Sequence, residues 1–385
     1  MNYSKLIIAD EQRAIVALAF EPSELTITWK DGFVGQYNSL WLRDNAPEHR
    51  DSHTGQRIIS LLDIPEDPLL KSAELEQESD IHLTWQDGAK TSFSLQWLRA
   101  YGQDRSISLR PVLRPWKAND VDSLFVADYD DVLSNRSSRR DWFAALACDG
   151  VVFLRNVPIE EGIVLRIASW IGFVRKTNYG ELFDVRAVAR PNNLAFTSLG
   201  LPVHTDNPYR EPVPGLQLLH CLATSGYGGE SIFVDGFAVA EALRGENESL
   251  YKILVENPVH FHFQDDESDI YAEHALIACD ALGGFKGIHY NDRSIAPLPF
   301  TGDTLRQFYV AYRRFVEMLR RPEFTVSIGM RPGDLVVFDN CRILHGRAAF
   351  EVQHGTRHLQ GCYVDKDGLY SNLAVLQRTG VDSWR

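Results

Sequence analysis

Short runs of alternating apolar and polar residues recur along the chain, which is the pattern of half-buried β-strands. The clearest runs are separated by Gly- and Pro-rich turns and read "GLQLLHCL", "ESIFVDGF", "VHFHF", "DLVVFDN" and "RHLQGCYVD". Two segments have helical periodicity instead, "DWFAALAC", which a glycine separates from the buried strand "VVFLRNV", and "DTLRQFYVAYRRFVEMLRR". Many short strands with few helices predict a mainly β protein with flanking helices, built as a jelly roll (a double-stranded β-helix) rather than a doubly wound parallel sheet.

The first hundred residues contain an internal repeat. Residues 25–45, "LTITWKDGFVGQYNSLWLRDN", resemble residues 81–101, "IHLTWQDGAKTSFSLQWLRAY", at a shift of 56 residues. Each copy predicts a β-hairpin around a "DG" turn, and residues 61–80 between the copies predict an exposed acidic connector. The proline-bearing "LRPVLRPWKAND" then marks a boundary. We therefore expect a small β-rich N-terminal domain over residues 1–110 and a jelly-roll domain over residues 111–385.

Composition excludes several classes of function. A chain of 385 residues with 44% hydrophobic and 24% charged residues is an ordinary globular protein. Its formal net charge of −13, with no basic run, argues against nucleic-acid binding. The five cysteines are far apart and form no CxxC motif, which favours a reduced compartment. No signal peptide and no membrane-spanning apolar run is recognisable, so we expect a cytoplasmic protein without a membrane partner.

A histidine and an aspartate stand two positions apart at His204 and Asp206, in "LPVHTDNPYREPVPG". His-x-Asp alone is weak evidence, because about one chance match is expected among twelve histidines. A second match, His49 and Asp51, lies in the charged "NAPEHRDSHTGQ" and is expected to be a solvated loop. The first match follows "NLAFTSLGLPV" and precedes another strand, which predicts a position at the mouth of the barrel.

Two imidazoles and one carboxylate on one face can hold a ferrous ion and leave positions open for co-substrates. The third ligand should be a distant histidine near a later strand, and His345 in "DNCRILHGRAAF" is the best candidate. His260 and His262 alternate along one strand, and His220 lies in an apolar run, so these three are less suitable.

Arg357 follows His345 by 12 residues, about one strand and one turn further on. A buried arginine at this place can clamp the distal carboxylate of an oxo-acid with two hydrogen bonds, which lysine does less well. A metal-dependent hydrolase would not need it. The set therefore predicts oxo-acid-dependent iron chemistry, with a hydrolase and a catalytically silent, ligand-binding protein as the alternatives.

These residues and their flanking motifs resemble the γ-butyrobetaine and trimethyllysine hydroxylases, within the taurine-dioxygenase-like Fe(II)/2-oxoglutarate oxygenases. The resemblance covers nearly the whole chain, through "WLRDN", "HTD", "GLQLLHCL", "GGESIFVDGF", "FDNCRILHGR" and "RHLQGCYVDKD". It implies a catalytic Fe(II) held by His204, Asp206 and His345, with 2-oxoglutarate and O₂ as co-substrates. It further implies that Arg357, helped by the Ser231 hydroxyl, binds the far carboxylate of 2-oxoglutarate.

The resemblance also implies a substrate with a trimethylammonium group, which cannot donate hydrogen bonds and is best met by ring faces. The positions that match the family's aromatic cage are Tyr179, Phe183, Phe196 and Tyr363. Two of the four are phenylalanine, where the butyrobetaine enzymes tend towards tryptophan or tyrosine.

The positions that match the family's site for the anionic end of the substrate are Asn193, Asn207, Tyr209, Asn291 and Arg293. Several neutral donors with an arginine suit a head of higher charge than a carboxylate. The preferred substrate is therefore expected to be 2-(trimethylammonio)ethylphosphonate, as in the phosphonate-oxidising branch of the family, with γ-butyrobetaine as the alternative.

Two further expectations rest on the same resemblance. The family often carries zinc-binding cysteines after "WLRDN", but this chain has "APEHRD", so no structural zinc is expected. A homodimer is the family's usual assembly.

Overall fold

The computed structural model describes residues 15–76, 79–102, 112–186, 199–224, 228–350 and 357–377. The described residues fall into two compact units, one before Arg110 and one over Arg110–Gln377. Each unit has an apolar core of its own. Within the described ranges, no helix combines the length and the apolar composition needed to cross a bilayer.

The first unit consists of two similar antiparallel sheets of three strands, one for each copy of the repeat. The first copy forms β1 (Ile15–Glu21), β2 (Glu24–Trp29), β3 (Val34–Asn38) and α1 (Ser39–Asp44). The second copy forms β4 (Leu70–Glu76), β5 (Asp80–Trp85), β6 (Lys90–Ser94) and α2 (Leu95–Tyr101). Gly32 and Gly88 make the two "DG" turns with φ of +87°, which favours glycine. The hairpin repeat is confirmed, but β4 lies inside the predicted acidic connector, so that prediction is wrong for this strand.

Reciprocal ion pairs join the two copies. Arg43 lies 3.1 Å from Asp87, and Arg99 lies 3.1 Å from Asp31. The shift of 56 residues that relates Arg43 to Arg99 also relates Asp31 to Asp87, so the same contact is made once in each direction. Each guanidinium also lies over a tryptophan ring of the other copy, 5.2 and 5.7 Å from its centroid. The pseudo-symmetry of the sequence is therefore a packing symmetry as well.

The second unit contains most of the strands and helices of the described chain. Its strands are β7 (Val126–Asp128), β8 (Val151–Arg155), β9 (Val174–Arg175), β10 (Phe183–Arg186), β11 (Leu201–His204), β12 (Leu216–Ala223), β13 (Ser231–Asp235), β14 (Val259–Gln264), β15 (Asp269–His274), β16 (Ile277–Cys279), β17 (Phe285–Ile288), β18 (Val326–Ile328), β19 (Leu335–Asp339), β20 (Ile343–Arg347) and β21 (His358–Val364). Its helices are α3 (Tyr129–Ser134), α4 (Arg136–Asp149), α5 (Ile163–Ile171), α6 (Gly236–Glu246), α7 (Glu248–Glu256), α8 (Gly302–Leu319) and α9 (Lys366–Gln377).

Two sheets form the barrel. The larger has the strand order β10-β21-β12-β19-β8-β7, with β9 also paired to β21, and the smaller has the order β11-β20-β13-β18. All pairs are antiparallel except β7 with β8. Phe233 of the smaller sheet makes edge-on ring contacts with Phe153 and Phe338 of the larger, so apolar side chains fill the space between the sheets. The predicted jelly roll is confirmed.

The helices predicted from periodicity are also confirmed. Helix α4 ends where Gly150 takes a φ of +76°, and β8 begins at the next residue. A Cβ at Gly150 would lie 2.9 Å from the Arg342 side chain, so both conformation and space require glycine. Helix α8 occupies the second predicted segment. Two hairpins, β14 with β15 and β16 with β17, lie outside both sheets.

Candidate metal centre and substrate pocket

The two histidines of the predicted metal site lie side by side on neighbouring strands. His204 ends β11, His345 lies in β20, and the two residues are direct partners in the antiparallel pairing. Their ring centroids are 4.4 Å apart. Asp206 follows in the turn after β11, and one ligand atom from each of the three residues lies within 4.8 Å of the others. The structure therefore brings together residues that are 141 positions apart at most, as the sequence predicted for a barrel mouth.

The protonation states suit a metal. The Nδ1 atom of His204 lies 2.9 Å from the carbonyl oxygen of Pro202, which it can meet as a donor, leaving the Nε2 lone pair free. Burial and the neighbouring His204 lower the pKa of His345 to about 3, so this imidazole is neutral at neutral pH. Burial alone would raise the pKa of Asp206, but the two histidines and the Tyr363 hydroxyl hold it below its ordinary value.

Two imidazoles and an ionised carboxylate, without a thiolate, match the ligand set of a facial ferrous site. Both imidazoles direct Nε2 at the carboxylate, at 3.2 Å from Oδ1 for His204 and 3.6 Å from Oδ2 for His345. Such close approach of three lone-pair donors is costly unless a cation lies among them. The residues therefore fit Fe(II).

The backbone of Asp206 is held by the turn between β19 and β20. The side chain of Asn340 accepts a hydrogen bond from Asp206 N at 2.7 Å and donates one to Asp206 O at 2.9 Å. It also donates to the carbonyl oxygen of Pro214 at 3.0 Å. Asn340 is fully buried, so this bridge is shielded from water. The turn that leads into β20 thereby fixes the turn that carries Asp206.

A cavity of about 410 Å³ opens beside the three residues. The predicted residues that line it are Tyr179, Phe183, His204, Asp206, Asn207, Tyr209, Ser231, Asn291, Arg293, His345, Arg357 and Tyr363. The remaining two predicted site residues, Asn193 and Phe196, lie outside the described residues. One pocket therefore holds every predicted site residue that the structure describes.

At one end of the pocket lies Arg357. It is buried, its Nε donates to the carbonyl oxygen of Gly229 at 3.1 Å, and among the described residues no carboxylate pairs with it. Burial and the nearby Arg347 lower the pKa of Arg357 to about 10, so it remains a cation at neutral pH. Ser231 lies on β13 in the same wall. An unpaired buried guanidinium is costly without an anion, so this end can receive a carboxylate.

Aromatic rings form another wall. The rings of Phe183 and Tyr363 are 5.1 Å apart between centroids, and the Tyr363 hydroxyl donates to Asp206 Oδ2 at 2.8 Å. Burial and the Asp206 carboxylate raise the pKa of Tyr363 well above its usual value, so the hydroxyl stays a donor. The ring of Phe263 in β14 stacks on the ring of Tyr209, with 5.1 Å between their centroids. The stacked Phe263 places the β14–β15 hairpin at the pocket.

Polar groups with free hydrogen-bonding capacity also line the pocket. Tyr209 donates its hydroxyl to Asn207 Oδ1 at 2.6 Å, which leaves the Asn207 amide nitrogen available as a donor. That nitrogen is buried and has no partner among the described residues. Asn291 already makes two hydrogen bonds with its side-chain amide. It donates to the carbonyl oxygen of Thr205 at 3.2 Å and accepts from the backbone N–H of Arg293 at 3.1 Å.

Arg293 is the cation of this region, and burial lowers its pKa. Its guanidinium has no ion-pair or hydrogen-bond partner in the part of the chain that the structure describes. The adjacent Asp292 makes no ion pair with it, and its carboxylate oxygens accept from hydroxyls instead, Oδ2 from Tyr290 at 2.8 Å and Oδ1 from Tyr312. The region is thus prepared for an anion.

Several residues that line the pocket were not predicted from the sequence, namely Gln217, His262, Phe263, Ser294 and Arg347. The alternation "VHFHF" indicated the strand β14 but not that this hairpin reaches the pocket. Arg347 follows His345 by two residues and so has the same inward direction, a signal that was present in "HGR".

Comparison with known proteins agrees with this geometry. Residues 109–363 match the family described as "Taurine catabolism dioxygenase TauD, TfdA family", and residues 16–99 match "Gamma-butyrobetaine hydroxylase-like, N-terminal". The chain is 39% identical to a gamma-butyrobetaine dioxygenase of Pseudomonas sp. (strain AK-1), over 92% of this chain and 94% of that protein. It is 28% identical to the mitochondrial trimethyllysine dioxygenase of Rattus norvegicus, over 89% and 83% respectively.

Among solved structures, a candidate alpha-ketoglutarate-dependent taurine dioxygenase from Burkholderia xenovorans has the same fold. The TM-score is 0.50 at 16% identity, over 66% of this chain and 91% of that one. The barrel and the His-Asp-His site define an oxygenase of the jelly-roll class. The chain belongs to the TauD/TfdA family of dioxygenases. It is an Fe(II)- and 2-oxoglutarate-dependent dioxygenase, which sets aside the hydrolase and the silent binding protein.

Proposed function

We propose that this dioxygenase hydroxylates a small zwitterion with a trimethylammonium group, and that its preferred substrate is 2-(trimethylammonio)ethylphosphonate. The observation that carries the proposal is the pocket itself. It joins an aromatic wall to an unpartnered amide and an unpartnered guanidinium, beside three metal-binding side chains. A ligand with a quaternary cation at one end and an anion at the other satisfies both parts.

His204, Asp206 and His345 hold the Fe(II) in this proposal. Bound iron supplies the oxygen-dependent conversion of 2-oxoglutarate to succinate and CO₂, coupled to hydroxylation of a substrate C–H. Arg357, with the Ser231 hydroxyl, binds the far carboxylate of 2-oxoglutarate. The buried guanidinium of Arg357, which lines the pocket without a carboxylate partner among the described residues, supports this role. The chain's contribution is orientation, because each group lies on a barrel strand or next to one before the ligands arrive.

Tyr179, Phe183 and Tyr363 form the cage for the trimethylammonium group, together with Phe196. The first three line the pocket, and the ring contact between Phe183 and Tyr363 supports a continuous wall. A quaternary ammonium is attracted by ring faces. Because it has no N–H group, it cannot donate a hydrogen bond to a hydroxyl oxygen. Two phenylalanines among four rings therefore suit this ligand.

Asn207 and Arg293 bind the anionic end, with Tyr209, Asn291 and Asn193 around them. Tyr209 fixes the Asn207 amide in the donating orientation. Arg293 forms no ion pair among the described residues, and its acidic neighbour Asp292 accepts from two tyrosine hydroxyls instead. A full positive charge with added neutral donors balances a phosphonate, whose charge is close to −2, better than a neutral set would.

γ-Butyrobetaine is the second candidate, since the Pseudomonas relative at 39% identity is named for it. Oxygen consumption and succinate formation with each zwitterion, at saturating Fe(II) and 2-oxoglutarate, distinguish the two. We expect a higher kcat/KM for the phosphonate. We also expect Arg293→Gln to reduce kcat/KM about 10–100-fold for the phosphonate and less for the carboxylate. A far higher kcat/KM for γ-butyrobetaine in the unaltered enzyme would establish the second candidate instead.

A cytoplasmic location and a homodimer belong to the same proposal, from the sequence and the family resemblance respectively. Size-exclusion chromatography with light scattering tests the assembly directly.

A further inference from the structure

Tyr363 makes a contact that an aromatic cage does not require. It lies on β21, almost fully buried, with its ring beside Phe183. Its hydroxyl is directed away from that ring and donates to Asp206 Oδ2 at 2.8 Å. Phe183 shows that a ring without a hydroxyl can form this wall. The hydroxyl of Tyr363 therefore has another role.

The two carboxylate oxygens of Asp206 face different neighbours. Oδ1 lies 3.2 Å from Nε2 of His204, and Oδ2 accepts from Tyr363. Nε2 of His345 is 3.6 Å from Oδ2, beyond hydrogen-bonding distance. Apart from the imidazoles, Tyr363 is the one side chain in the described part of the chain that donates to this carboxylate.

The remaining freedom of Asp206 lies in its side-chain torsions. Asn340 holds both the backbone N–H and the backbone carbonyl of Asp206. With the backbone fixed in this way, the carboxylate can still rotate about its side-chain bonds. A short hydrogen bond to one oxygen removes that rotation and leaves the other oxygen for a metal.

We propose that Tyr363 is a positioning residue of the iron site, whose hydroxyl orients Asp206 so that Oδ1 is the oxygen presented to the metal. This inference rests on the proposed assignment of Asp206 as an iron ligand. Tyr363 then serves two sites with two parts of one side chain. Its ring face belongs to the substrate wall and its hydroxyl belongs to the metal site, so the two parts are separable by substitution.

The test is metal binding by the apoprotein, measured as Mn(II) affinity in the absence of 2-oxoglutarate, substrate and oxygen. Tyr363→Phe keeps the ring and removes the hydroxyl, and we expect its Kd for Mn(II) to rise about 10–100-fold. Tyr179→Phe is the matched control, because it removes a hydroxyl from the same pocket that contacts Tyr209 rather than Asp206. Its Kd for Mn(II) should equal that of the unaltered protein.

A second variant separates the hydroxyl from the ring. Tyr363→Leu should weaken Mn(II) binding as much as Tyr363→Phe does, but it alone should also raise the KM for the zwitterion at saturating Fe(II). Thermal unfolding of each apoprotein shows that the fold is retained. An unchanged Mn(II) Kd in either folded variant overturns the proposal.

Asp206→Ala distinguishes this inference from the assignment beneath it. If Asp206→Ala binds Mn(II) as tightly as the unaltered protein, the proposed metal site is wrong. If Asp206→Ala loses binding while Tyr363→Phe keeps it, the metal site stands and only the positioning role is refuted.

Discussion

At the scale of single residues, the pocket contains two arginines in different surroundings. Arg357 donates to the carbonyl oxygen of Gly229, and Arg293 lies near Tyr209. Neither guanidinium has a carboxylate partner among the described residues. Each is therefore available to an anion, and the two anions of the proposed reaction, 2-oxoglutarate and the zwitterion, should divide between them.

We predict that substitutions at the two arginines change different kinetic constants. Arg357→Ala should raise the KM for 2-oxoglutarate about 10–100-fold, because a charge-assisted hydrogen-bonded pair is lost, and leave the KM for the zwitterion nearly unchanged. Arg293→Gln should do the reverse. Initial rates of succinate formation, with one ligand varied while the other saturates, provide both constants. An unchanged KM for 2-oxoglutarate in Arg357→Ala contradicts the assignment of Arg357.

The residues that sequence alone could identify are those with a recognisable chemical type at a recognisable place. His204, Asp206, His345 and Arg357 belong to this group, and the structure brings all four to one pocket. The hydroxyl contact of Tyr363 with Asp206 was not predictable, because it depends on how β21 faces the turn after β11. The motif indicates a ring at this position but not what its hydroxyl reaches.

At the scale of elements, strand β12 carries a polar residue in an apolar setting. It lies between β21 and β19, and His220 is fully buried there. Both ring nitrogens lack a hydrogen-bond partner in the described part of the chain. Burial lowers the pKa of His220 to about 4. The apolar run "GLQLLHCL" predicts a structural role for this histidine.

We predict that His220 makes the apoprotein less stable in mild acid. Below a pH of about 6.5 the unfolded chain takes up a proton that the folded chain refuses until a pH of about 4, so stability falls as the pH falls through this window. The loss for this one group amounts to about 3 kcal/mol. Urea unfolding of His220→Leu, compared with the unaltered protein across that window, should show a shallower dependence on pH. His53→Gln, at an exposed histidine, is the control and should leave the slope unchanged.

Element boundaries show where pattern reading fails. Helix α4 and strand β8 were predictable because a glycine separates two different periodicities. Strand β4 was not, since its acidic residues and flanking prolines suggested a connector. This segment is a strand because it pairs with β5, and local composition does not encode such pairing.

At the scale of the whole molecule, we propose that residues 1–110 and 111–385 are two domains, as the sequence indicates. The two compact units described above support this division. All the described residues of the proposed metal and substrate sites lie in the second unit. The stability of the first unit and the chemistry of the second can therefore be examined separately.

We predict that the reciprocal ion pairs of the first unit contribute equally to its stability. Arg43 with Asp87 and Arg99 with Asp31 have the same length, and both arginine side chains are largely buried. A double-mutant cycle with alanine at each pair should give a coupling energy of about 0.5–1 kcal/mol, because both ions remain partly in contact with water. Chemical denaturation followed by tryptophan fluorescence measures each cycle.

The prediction that the two coupling energies are equal depends on the pseudo-symmetry of the two copies. Each pair joins a turn aspartate of one copy to a helix arginine of the other, so the ion pair and the contact with a tryptophan ring are both made twice. The same four substitutions should leave the Mn(II) Kd of the apoprotein unchanged, since no residue of the metal site belongs to this unit. A measurable coupling energy in one pair but not in the other would mean that the two copies share a sequence pattern without sharing the energy of this contact. A changed Mn(II) Kd would mean that the first unit influences the metal site, although all three proposed metal ligands belong to the second unit.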